Sequence, residues 1–340
     1  MYKKCYLWLS LVSLVCLFTL FSPASLYAVE NDPYETKRQM FETMQGITGV
    51  PWEYLAAMDI YEKNIHLHPK DPQKNSRTIA IEVPSHQWAG LLNPDLNDKN
   101  TASIRFFNGI GHDGDGDGIA DPNHDLDILI SVSKFLTKNG MTESHVRSQL
   151  WHYYLHPTTV DVITHIAKIF QKYPRLQLNE HTFPISPGYS YSYRNTWGAK
   201  RGWGGRRIHE GTDIFANYGT PVQSTCYGYV ELIGWNRFGG WRIGIRDTNN
   251  NYHYFAHLNG FKKGLQKGDI VKPGQLIGSV GSSGYGPPGT AGKFPPHLHY
   301  GIYKFNGKNT YSFDPYPQLK QWEKNAHKKR KESRNTSIHK

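Results

Sequence analysis

The periodicity of this chain changes once, near residue 174, and that change constrains its fold more than any other feature. Between residues 34 and 173 apolar side chains recur at helical spacing. Leu55, Met58 and Ile60 lie in a run opened by Pro51, while Val160, Ile163, Ala167 and Phe170 lie in one that Pro174 closes. Proline suits a first helical turn, whose N–H groups lack partners anyway, and stops a helix that reaches it later. From Arg207 onward the apolar segments are short (228–234, 241–247, 252–258) and alternate with glycine-containing turns, and Asn249-Asn250-Asn251 reads as a hairpin turn. Lys267-Gly268-Asp269 and Lys272-Pro273-Gly274 punctuate further strands. The pattern predicts an α+β multidomain protein: a helical domain over 34–175, then antiparallel β structure with almost no helix before Gln318. Residues 176–205, rich in Pro, Gly, Ser, Tyr and Arg without periodicity, are expected to form a linker and leading loop, and 317–340 a C-terminal helix and basic tail. A chain of 340 residues is long enough for each half to bury its own core.

The first residues set the compartment. Lys3 and Lys4 precede an apolar stretch over 5–21, then Pro23, small residues and Ala28, the order of a secretory signal peptide over 1–28. The stretch is also long enough for a retained membrane anchor, and Val15 is too bulky to make Cys16 a good lipidation site. Of three cysteines two lie in that segment, which leaves Cys226 alone. An internal disulfide and a thiolate zinc cluster are therefore excluded, and any metal must be held by histidine and carboxylate. An exported chain without disulfides suits a bacterium whose exterior does not force them. The net charge of +11 would serve nucleic acid, anionic lipid or an acidic wall polymer. Export removes nucleic acid and leaves the cell wall or the outer face of the membrane. The basic run His327 to Lys331 is expected to be a solvated, disordered end.

Between Arg207 and that tail lie five histidines, and two arrangements among them matter. His209-Glu210-Gly211-Thr212-Asp213 is an H-x-x-x-D; His297-Leu298-His299 is an H-x-H in a segment that reads as strand. Residues i and i+2 of a strand share a face, so both imidazoles look the same way. Hydrolytic zinc is commonly held by three nitrogen or oxygen ligands with a fourth position kept for water. His209, Asp213 and one histidine of the pair would complete such a set, with the other histidine beside the water as a base. His253 shares the face of His257 by alternation and is expected to be structural. Glu210 should point away from the ligands if its segment is extended. Trp203, Trp241 and Tyr285 are candidates to line a groove.

The conjunction of segments carries a resemblance. Gly204 to Ile214 followed by Gly219-Thr220-Pro221-Val222, then Tyr254-Phe255-Ala256-His257-Leu258, then Gly281-Ser282-Ser283-Gly284, then Pro296 to Gly301 resemble, in order, the motifs of the lysostaphin-like (LytM-type) zinc metallopeptidases. The resemblance covers residues 186–316 and departs at no metal or catalytic position. It implies an antiparallel all-β peptidase domain with an open groove, and zinc on His209, Asp213 and His299. His257 and His297 would be the two catalytic histidines that do not bind metal. The reaction implied is one-step hydrolysis of a peptidoglycan peptide bond by metal-activated water. One histidine would serve as base and the other as oxyanion donor, in either order.

The helical half carries a weaker resemblance, to the lysozyme-like lytic transglycosylases. It rests on Asp113-Gly114-Asp115-Gly116-Asp117-Gly118-Ile119-Ala120-Asp121 and on the helix from Gly49 to Glu62. That family's catalytic Glu precedes Ser, whereas Lys63 follows Glu62, and its Gly-x-x-Gln motif is missing around Pro84 to Trp88. A glycan-binding domain without catalysis is therefore expected, with glycosidic chemistry at Glu62, or a wholly non-catalytic wall-binding scaffold, as alternatives. Asp113, Asp115, Asp117 and Asp121 alternate as in a calcium loop, although its twelfth position is His124 rather than Glu. The order of the two halves resembles the sporulation L-Ala–D-Glu peptidases (LytH type).

Overall fold

The structure, a computed structural model, describes residues 32–65, 77–201 and 207–338. The export segment and Trp203 lie outside the described residues. Among the described residues seven helices come first: α1 (Pro33–Thr48), α2 (Trp52–Ile65), α3 (Ser85–Ala89), α4 (Thr101–Phe106), α5 (Asp125–Thr137), α6 (Glu143–Tyr154) and α7 (Pro157–Lys172). Their ends follow local chemistry. Asp32 caps α1 by accepting from the Tyr34 N–H, Pro33 opens it, and Gly49 closes it in the left-handed region at φ 77°. Helix α2 is the centre of this half, with Leu55, Ala57 and Met58 fully buried, and it packs on α7.

The second half holds β1 (Tyr191–Tyr193), β2 (Lys200–Arg201), β3 (Arg207–Ile208), β4 (Thr212–Ala216), β5 (Pro221–Gln223), β6 (Gly228–Asn236) and β7 (Gly240–Asp247). They are followed by β8 (Asn251–Phe261), β9 (Ile270–Val271), β10 (Leu276–Val280), β11 (His297–Phe305), β12 (Thr310–Phe313) and the helix α8 (Tyr316–Ile338). The main sheet runs β1-β4-β11-β8-β7-β6-β9, with β12 beside β11 and β10 joining β5 to β8. Every pairing in it is antiparallel. The expected hairpin turn joins β7 to β8, with Asn250 at φ 61°. One face of the sheet is apolar, from Ile243, Ile245, Phe255, Leu298, Tyr300 and Ile302, and Leu319 of α8 packs into the same core. The basic run of the tail is exposed but helical, not disordered, and Arg330 donates to the Pro187 carbonyl. Among the described residues no helix is long and apolar enough to cross a membrane.

The stretch expected as linker is built into the fold. Leu178, Phe183 and Ile185 are buried, and Tyr191–Tyr193 pairs with β4. Apolar residues without period mark a segment that crosses a core rather than one that hangs free. The halves also meet directly. Tyr229 and Phe305 join the helical core, and the His165 ring of α7 stacks on Tyr229 at 4.0 Å. His165 Nδ1 lies 2.8 Å from Glu231, whose two oxygens accept from Arg246 at 2.9 and 3.1 Å.

Candidate metal and catalytic centre

The centre is assembled by register. Strand β11 runs between β4 and β8, and its pairing sets His299 opposite both Asp213 and Ala256. His297 and His299 face away from the core that receives Leu298 and Tyr300, as strand alternation requires. His209 lies just beyond β3 and is fixed by its own backbone, its N–H bonding the Ala199 carbonyl and its carbonyl the Gly198 N–H. Three donor atoms then converge. His209 Nε2 is 2.9 Å from His299 Nδ1, and Asp213 Oδ1 is 3.1 Å from the former and 3.0 Å from the latter.

His257 reaches the same place by a different device. Trp241 pairs with Leu258 and Ile243 with Phe255, so β8 carries an extra residue in this interval. The bulge falls at His257, which adopts φ 60°. Phe255 and Leu258 therefore both enter the core, while Tyr254, Ala256 and His257 line the cleft. Simple alternation, which placed His253 and His257 on one face, fails here for that reason. His253 is in the core, against Tyr300 and Asp247. His257 stands beside His297, ring centroids 4.9 Å apart, and His297 Nε2 is 3.8 Å from Asp213 Oδ1.

Main-chain carbonyls fix the tautomers. The Nδ1 atoms of His209, His257 and His297 lie 2.8, 2.8 and 2.9 Å from the carbonyls of Thr196, Ser283 and Pro295. A carbonyl only accepts, so each Nδ1 carries the proton and each Nε2 is left as a donor of electron pairs. That is the form a metal ligand or a base requires. Burial, and after it the neighbouring His299 and His297, pushes His257 down to about 3. Burial alone would raise Asp213, but the His209 and His299 rings set against it outweigh burial and hold the carboxyl well below the usual range. Two imidazole nitrogens and a buried carboxylate, each ring backed by a fixed partner where the bonds are visible, fit a zinc-class ion.

Above these groups opens a cleft of about 190 Å³, walled by Phe238, Tyr254, Tyr285 and Tyr303. Tyr285 lines it as expected, its ring stacked over His257 at 6.1 Å. Trp241 instead packs edge-on to Trp235 and Phe261. Glu210 lines the rim, accepting from the Tyr303 hydroxyl at 3.3 Å, rather than pointing away. Sequence reasoning missed Thr196, which holds both His209 and the Asp213 N–H, because it sits in the stretch read as linker.

In the helical half Glu62 is 3 % exposed and lies against Tyr154, buried among the described residues rather than open to a substrate. The Asp113 oxygens accept the Gly116 and Gly118 N–H groups, and Asp115 and Asp117 accept those of Asp117 and Ile119. Asp121 is drawn off to Lys99 at 2.8 Å. The loop is thus a chain of self-capping turns, which gives the calcium reading no support.

Residues 207–315 match the profile of peptidase family M23. Over 322 residues the chain is 54% identical to the L-Ala–D-Glu endopeptidase of Bacillus subtilis (strain 168), covering 94% of this chain and 99% of that relative. The chain belongs to peptidase family M23. It is a peptidoglycan endopeptidase of that family. A shorter match, 40% over 115 residues, relates 33% of the chain to 22% of lysostaphin from Staphylococcus staphylolyticus. The catalytic domain of lysostaphin from Staphylococcus simulans aligns in structure with TM-score 0.31 and 31% identity, covering 39% of this chain and 93% of that domain. The family match falls on the β half alone, where the three converging donors lie.

Proposed function

We propose that the chain is exported and cuts the L-Ala–D-Glu bond of peptidoglycan stem peptides, with zinc held by His209, Asp213 and His299. The convergence of one carboxylate oxygen and two ring nitrogens to within about 3 Å carries the metal assignment. The end-to-end match to an L-Ala–D-Glu endopeptidase carries the bond. Zinc at this place would polarise the scissile carbonyl and acidify the attacking water.

The chain's own groups do the rest. Phe238, Tyr254 and Tyr285 exclude bulk water and hold the peptide in the cleft. His257, neutral through burial, presents a bare Nε2 that takes the proton of the attacking water and returns it to the leaving amine. His297, beside it, is placed to support the oxyanion. The helical half would hold the glycan part of the same polymer. Its cleft of about 530 Å³ is lined by Gln87, Asn108, Asn139 and Gln149 around Phe135, an amide-rich wall suited to hydroxyl and acetamido groups. Mass spectrometry of purified wall after digestion tests the reading. New N-terminal D-Glu on released stem peptides, abolished by a chelator and restored by zinc, is expected; cleavage at another bond, or cleavage indifferent to chelation, refutes it.

A further inference from the structure

Behind the sheet, on the face opposite the cleft, lies a second group of the same composition, with Asp247 and His253 buried and His181 partly so. Asp247 ends β7, His253 lies on β8, and His181 belongs to the segment between the two halves. Asp247 Oδ2 is 3.1 Å from His253 Nε2 and 3.7 Å from His181 Nε2, and all three donor atoms lie within 4.8 Å of one another. We propose that His181, Asp247 and His253 form a second zinc-class site, structural rather than catalytic.

The proton arrangement argues for a cation. His181 Nδ1 is 2.8 Å from the Asn179 carbonyl, so its proton sits there and Nε2 turns a lone pair toward Asp247. His253 Nδ1 is 2.7 Å from the Tyr300 hydroxyl, which can accept the ring proton and free Nε2 in the same way. In that arrangement two lone pairs face one carboxylate oxygen and repel unless a positive charge lies between them. The competing arrangement has a neutral His253 donating from Nε2 to Asp247 while the Tyr300 hydroxyl donates to Nδ1. Backing groups are in place as well: the Asn251 N–H reaches Asp247 Oδ1 at 2.8 Å, and the Asn251 amide reaches Oδ2 at 2.9 Å. Such partners orient metal ligands. Trp322 of α8 stacks on the His181 ring at 4.8 Å with 4° between planes, covering the group. An ion here would pin α8 and the 178–185 segment to the back of the sheet. The rival is an ordinary imidazolium–carboxylate pair, with the charge supplied by a proton on His181.

Metal stoichiometry separates them. The full chain, His181→Gln, His209→Ala and the double variant are loaded with zinc, freed of excess by gel filtration, and assayed for metal per chain, with circular dichroism confirming the fold. Two, one, one and no ions are expected. One ion in the parent chain, kept by His181→Gln and lost by His209→Ala, overturns the second site and leaves the catalytic one standing. One ion with the opposite pattern upholds the second site and sinks the catalytic assignment. Should His181→Gln not fold, titration of the metal-free parent chain with cobalt decides: two equivalents with ligand-field absorption support the site, and saturation at one equivalent overturns it.

Discussion

His209 Nε2 and His299 Nδ1 lie 2.9 Å apart although 90 positions separate them in the chain. Their closeness beside Asp213 is what the proposed zinc site rests on, whereas His297, with its Nε2 3.8 Å from the same carboxylate, stands outside the proposed ligand set. His209→Ala should therefore lose zinc and at least ~10³ of the rate, while His297→Ala should keep zinc and lose roughly 10²–10³ through the missing oxyanion support alone. Zinc content and turnover of purified wall, measured on both variants, check this. Equal loss of metal in the two would show the ligand set to be wrong.

Gly211 lies between two of the proposed ligands and has a role of its own. A Cβ there would come 2.7 Å from His299 Cε1 and 2.5 Å from the Tyr300 carbonyl oxygen. The carbonyl belongs to a paired strand and cannot withdraw, so the His299 ring must turn. Gly211→Ala should weaken zinc affinity by about 10- to 100-fold, the scale seen when groups supporting a ligand are disturbed. Competition with a chromophoric chelator gives the number, and unchanged affinity would mean the ring has slack.

What the sequence made legible was whatever repeats or sits close together. The switch from helical to alternating spacing located both halves, and i, i+2 spacing put His297 and His299 on one face. His257 was found by its motif, but its face was not, because a single extra residue in β8 inverts parity without any change in composition. Thr196 and His181 stayed hidden for another reason. Both lie in an irregular segment whose partners are distant in the chain, and neither periodicity nor spacing reports such contacts.

The tautomer of His257 can be read directly. Burial and two histidine neighbours hold its pKa down to about 3, and its Nδ1 proton is committed to the Ser283 carbonyl. A lowered value means the ring is neutral everywhere above about 3, so it contributes no acid limb to activity between pH 5 and 7. Its ring nitrogens, followed by long-range proton–nitrogen NMR, should show the Nδ1–H form unchanged over that range. Titration near 6.5 would remove His257 as the standing base.

The junction of the two halves makes the last prediction. Burial would raise the Glu231 carboxyl, but His165 and Arg246 overcome it and bring the value from 4.5 down to about 2. A depressed carboxylate stabilises the fold fully above 4.5, and that stability is lost as pH falls toward 2. The drop is worth on the order of 3 kcal/mol. Arg246 is only 6 % exposed, so Glu231→Gln also leaves a buried cation without its counter-charge. The variant should lose roughly 3 kcal/mol or more at pH 7 in urea unfolding, and the difference from the parent should narrow as pH is lowered from 5 toward 2. His165→Phe can keep the stacking on Tyr229 while removing only the ring's hydrogen bond, so it should cost less, about 1 kcal/mol. If Glu231→Gln were as stable as the parent at pH 7, the packing of Tyr229 and Phe305 and contacts such as Lys304 to Asn64 would hold the junction, and the ion cluster would be a passenger at it.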